Sequence, residues 1–125
     1  MNLRTFVLIT AILELGAGVV FFLVPHLLPQ AEPDNALAIM WNRMFGVAAI
    51  ALAYYAMLVW KNFGAGPATG FTKVFIVFHV GTAAALYYGY SAGYDIFLGG
   101  VAFHAIMAMI TLFYSIKMRS GDVKM

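Results

Sequence analysis

The chain contains no cysteine. Disulfides, thiolate-held iron–sulfur clusters and cysteine-based zinc sites are therefore excluded, and the redox compartment cannot be read from this residue type. Charge is nearly as scarce, with seven Lys and Arg against five Asp and Glu in 125 residues and a net charge of +2. The basic residues are scattered among chain ends and loops and form no groove with interleaved stacking aromatics, so nucleic acid is not an expected partner. A phosphate loop is also missing: the GAGPATG stretch at residues 64–70 has neither a preceding strand nor a Lys-Ser/Thr ending. No serine stands beside a plausible His/Asp pair, and no catalytic residue is assigned.

What the chain does have is apolar surface. Apolar residues make up 64% of it and the mean hydropathy is +0.91, far more than a soluble domain of this size buries. This is the composition of a membrane protein. A spanning helix needs about 20 mostly apolar residues at ~1.5 Å each, and four runs qualify, at about 5–24, 36–60, 74–90 and 96–116. The first is read as a retained helix and not as a cleaved signal peptide, because Glu14 sits at its centre and no small-residue cleavage site follows. The polar EPDN turn precedes the second run, with Asp34 or Asn35 as its expected N-cap. A Gly/Pro-rich loop at 62–70 precedes the third, a tight SAGYD turn the fourth, and residues 118–125 form a short polar tail. Short connections imply an all-α, four-helix transmembrane bundle of up-down-up-down topology in a single domain. A transporter built from broken helices would need more spans or an oligomer.

Loop charge gives the orientation. Arg4, Lys61, Lys73, Lys117, Arg119 and Lys124 fall on one side, and Glu32, Asp34 and Asp95 on the other. The positive-inside rule then places both termini in the cytoplasm. Trp41 and Trp60 bracket the second helix about one bilayer apart, and Tyr87, Tyr88, Tyr90 and Tyr94 crowd the outer end of the third and fourth. His26 follows Pro25 in the outer loop and reads as an interfacial residue.

Four ionisable residues remain inside the spans: Glu14, Arg43, His79 and His104. A charge at the bilayer centre costs from ~2.5 kcal/mol upward, so each needs a reason. Arg43 lies two residues inside Trp41. Its long side chain either snorkels to the headgroups or turns inward to Glu14 and an anionic ligand group. Glu14 lies near the midplane with too short a stem to reach either surface, and Thr10, Ala11, Ala17 and Gly18 give it a small-residue face turned to the bundle interior.

The histidines occupy two similar contexts, VFIVFHVGTAAA and VAFHAIMAMI. His79 stands thirteen residues before Ala92, the centre of the turn joining its helix to the next, and His104 twelve after it. Their depths therefore differ by only ~1.5 Å, and Glu14 falls at a similar level. His104 shares a face with Gly100, Ala108, Thr111 and Ser115, and His79 with Thr72, Thr82 and Ala83. Both faces are expected to point inward, with Phe, Ile, Met and Leu of the opposite faces toward lipid.

Several chemistries suit such a layer. The imidazoles can simply hydrogen-bond with Glu14, Thr82, Thr111 or backbone carbonyls. They can serve a small apolar or quinone-like ligand, or a proton-transfer step. A haem b held between His79 and His104 is a third reading, with Phe78, Phe103, Gly81 and Gly100 as a flat apolar slot, although no covalent haem motif is present. A metal on Glu14, His79 and His104 would resemble the two-histidine, one-carboxylate iron sites. The outer carboxylates such sites draw on are not visible, and no metal site is assigned.

The first helix, LELGAGVVFFLVPHLLP, and the second, NRMFGVAAIALAYYAMLVW, resemble the DoxX-type small bacterial inner-membrane proteins and their four-helix relatives. Gly18, Pro25, Arg43 and Gly46 carry the resemblance. It implies a multi-pass protein of the bacterial inner (plasma) membrane, in a group of which some members accompany quinone-linked oxidation of small sulfur compounds. No motif carries catalytic residues over. The expected function is a binding or accessory subunit in a homo-oligomer or larger membrane complex, with a haem b- or quinone-linked electron-transfer subunit as the alternative.

Overall fold

A computed structural model describes residues 2–25, 36–63, 68–91 and 97–119 of the chain. It contains four α-helices, α1 (Leu3–Leu23), α2 (Ala36–Lys61), α3 (Ala68–Ser91) and α4 (Phe97–Arg119). All four are long and apolar enough to cross a membrane. The expected cap at Asp34 or Asn35, His26, Tyr94, the turn about Ala92 and the end of the tail lie outside the described residues.

Helix limits differ from the hydropathy reading most at α3, and α4 also continues to Arg119, past the expected end at 116 and into the expected tail. α3 starts at Ala68, six residues before the expected Val74. Its first turns hold Gly70, Thr72 and Lys73, which lower hydropathy without interrupting the backbone ladder, so the helix outruns its most apolar segment. The start of α1 is set by Asn2, whose side-chain oxygen accepts a hydrogen bond from the Thr5 amide at 2.8 Å, satisfying one of the donors that a helix N-terminus leaves open.

The chain forms two compact units, residues 1–62 and 63–125, each a pair of helices. In the first, α1 and α2 run antiparallel. The Arg4 guanidinium lies 5.4 Å over the Trp60 ring at one end, and Phe21 meets Phe45 edge-on at 5.0 Å toward the other. Between them the backbones nearly touch. A Cβ built on Gly46 would stand 2.8 Å from both the Gly18 carbonyl oxygen and the Phe22 nitrogen, and one on Gly18 would stand 2.9 Å from the Gly46 carbonyl. Only glycine permits that approach at these two positions. The buried residues of α2 continue the theme, with Ala49, Ala53 and Ala56 following Gly46 at intervals of three and four. Without a hydrophobic drive between helices in lipid, such small-residue seams are what allow close dispersion contact.

In the second unit α3 and α4 are likewise antiparallel, joined through His79 with His104 and through Leu86, whose side chain lies over Gly100. The small and hydroxylic residues Thr72 and Thr111 are buried, as their face implied. Phe71 and Phe75, which the sequence reading left unplaced, are fully buried. They stand two turns and one turn before His79, respectively, on its own side of α3, with ring centroids 4.3 Å apart.

Candidate functional site

The imidazole pair is the centre of the second unit. His79 Nδ1 and His104 Nδ1 are 2.9 Å apart, and their ring centroids 5.1 Å. At that distance one ring's N–H donates to the other's lone pair, so the two rings hold complementary tautomers about a single shared proton. Their counts from Ala92 in the sequence, thirteen and twelve, match this meeting at one level. His79 is completely buried and His104 partly so.

Aromatic rings surround the pair. Phe75 and Phe78 approach His79 at 5.6 and 5.3 Å, and Phe78 and Phe103 approach His104 at 5.9 and 5.3 Å. Apolar walls lower the local dielectric, which strengthens the N–H···N bond and raises the cost of losing it.

The two rings meet through their Nδ1 atoms, and Phe78 and Phe103 of the expected apolar slot stand against them. The described residues contain no group of three or more His, Asp or Glu able to hold a metal.

The other expected members of the layer separate into different roles. Thr111 is buried, yet its hydroxyl donates to the Met107 carbonyl at 2.7 Å, one turn back on its own helix. Thr10 does the same with Phe6 at 2.9 Å. Such back-bonding satisfies a hydroxyl inside an apolar span without any cross-helix partner. Thr82 is half-buried. In the first unit Glu14 is 5% exposed, on the same side of α1 as the buried Thr10, Ala11 and Gly18. Arg43 is exposed and lines an open groove on α2.

Asn42 did not stand out in the sequence. Its amide nitrogen is buried without a hydrogen-bond partner among the described residues. The signal available was the side chain type itself: an asparagine one turn before Gly46, inside an apolar run, where the neighbouring Arg43 drew the attention.

Comparison with family models, curated proteins and solved structures finds no match.

Proposed function

We propose that the chain is a small polytopic subunit of the bacterial inner membrane, acting as a binding or accessory component within a homo-oligomer or larger helix assembly. The observation that supports this most directly is uncovered glycine. A Cβ on Gly81 of α3 or Gly99 of α4 would meet nothing within 4 Å, and Ala84, Ala85 and Ala102 are exposed beside them. Glycine inside a helix costs ~1 kcal/mol relative to alanine. In hydrocarbon its usual return is close approach by another helix.

Solubilised gently from its own membrane, the protein is expected to migrate on native gels as a species well above its monomer mass. Gly81→Leu should shift it to the monomer, while Leu112→Val at an exposed position of α4 away from Gly99 should not. A wild-type protein that is monomeric in lipid nanodiscs would remove the proposal.

We further propose that both termini are cytoplasmic. Arg4, Trp60 and Lys61 gather at one end of the first unit, and Lys117 lies 5.0 Å over the Phe113 ring near the end of α4. A fluorescent protein fused at the C-terminus should therefore be bright and an alkaline phosphatase fusion inactive; the reverse result assigns the opposite topology.

A further inference from the structure

A third donor of a different kind stands beside the imidazole pair. Met107 follows His104 by three residues on α4 and is 7% exposed, whereas Met109, two residues further on, is 62% exposed. His104, Met107, Thr111 and Tyr114 succeed one another at intervals of three and four, and the last three are buried. They share the side of α4 that carries the contact to His79. A long side chain on a helix leans toward the N-terminus, over the turn that precedes its own Cα. For Met107 that turn holds His104, so its thioether is directed to the level of the two rings.

His79 and His104 already present nitrogen to nitrogen, Nδ1 to Nδ1 at 2.9 Å. The proton between them belongs to one ring, and when that ring carries it on Nε2 instead, both Nδ1 lone pairs face a single point. The net charge of the pair is unchanged by this. Imidazole–metal bonds of ~2.0 Å then require each ring to move by about 0.5 Å, which stays inside one rotamer well.

The donor set selects the ion. Two imidazoles alone would suit zinc, nickel or iron as well as copper, but a thioether among them favours Cu(I). All three donors are neutral, so a bound ion keeps its whole charge in an apolar setting, and the desolvation cost of that rises steeply with charge. A monovalent ion is therefore favoured over a divalent one. Phe75, Phe78 and Phe103, whose rings stand 5.3 to 5.9 Å from the imidazoles, add π-electron density suited to a single positive charge.

We infer that His79, His104 and Met107 form a binding site for one Cu(I) ion, held by the two Nδ1 atoms and the Met107 sulfur. The site lies within one helix pair, so it stands whether or not the chains assemble with one another.

Titration of the intact protein with Cu(I), in mild detergent under anaerobic reducing conditions and against a chromophoric Cu(I) chelator, tests this. One ion per chain is expected, and X-ray absorption at the copper edge should show nitrogen and sulfur neighbours together. Met107→Leu nearly preserves volume and should remove the sulfur signal. Outer partners of metal ligands are alone worth about 10–100-fold in affinity, so this loss of a direct ligand should weaken binding at least about tenfold. Met109→Leu should change neither readout. His104→Leu should abolish binding, and His104→Met, which exchanges one soft donor for another, should retain it with a stronger sulfur signal. Circular dichroism checks that each variant keeps its helices. Failure to retain Cu(I), or a Met107→Leu variant with sulfur signal and affinity intact, overturns the site. So does an equal loss from Met109→Leu, the mark of adventitious capture by exposed methionines. A preference for Zn(II) over Cu(I) that Glu14→Gln removes would overturn it as well, since the third ligand would then be a carboxylate.

Discussion

Gly46→Leu is expected to separate α1 from α2, whereas Gly16→Ala, in the same helix pair, should be neutral or stabilising. The difference lies entirely in what surrounds each Cα. A methyl on Gly46 already falls 2.8 Å from the Gly18 carbonyl oxygen and from the Phe22 amide nitrogen. These are backbone atoms, which cannot rotate away as a side chain would, so relief requires moving one helix from the other. Overpacking of a tight contact typically costs about 1–3 kcal/mol, and leucine here should reach or exceed the upper figure. Gly16 has nothing within 4 Å of its position in this helix pair, so alanine there leaves the α1–α2 crossing untouched and adds up to ~1 kcal/mol of helix propensity. Titration with SDS from mild detergent, followed by a donor–acceptor dye pair on the ends of α1 and α2, reads both outcomes. Equal responses of the two variants would show that the close crossing does not hold this pair together.

His104→Leu should be the most damaging single change in the second unit. It removes the hydrogen-bond partner of Nδ1 on the fully buried His79, and stranding a buried polar group costs about 1–3 kcal/mol. His79→Phe together with His104→Leu should cost less than the sum of the two, because the double variant strands nothing. The coupling in a double-mutant cycle is expected near 0.6 kcal/mol and no higher than ~1.7, the span found for hydrogen bonds between membrane helices. The purified protein should show no Soret band. Strictly additive effects would mean that the 2.9 Å contact contributes no net stability, and a Soret band lost in both single variants would restore the haem reading.

The two histidines and the glycines were legible in the sequence to different degrees. His79 and His104 could be placed at one depth because both are counted from the same short turn, and regular helices preserve that count. The inward faces of α1 and α4 could be read because in lipid the usual pattern is reversed: small and hydroxylic residues such as Thr10, Gly18 and Thr111 lie inside and residues such as Ile12, Leu23 and Met109 outside. Phe71 and Phe75 escaped that reading, since a large apolar ring is equally soluble in protein and in lipid, and hydropathy assigns it to neither. The early start of α3 escaped for a related reason. Hydropathy reports what a segment can immerse itself in, not where its backbone hydrogen bonds end. Gly18 and Gly46 stood out as residues, but their meeting across two helices needed coordinates.

The hydrogen bond between His79 and His104 also bears on how the chain enters the bilayer. Of the four spans, Gly70–Tyr88 is the least hydropathic, at 1.3 against 2.4 for Leu3–Leu23. As a separate helix it would carry an imidazole into hydrocarbon with nothing beyond its own backbone to answer it. Its partner would carry the second imidazole into the same difficulty. Entering as a hairpin, each helix brings the other's hydrogen-bonding group, so α3 and α4 are expected to insert as a pair.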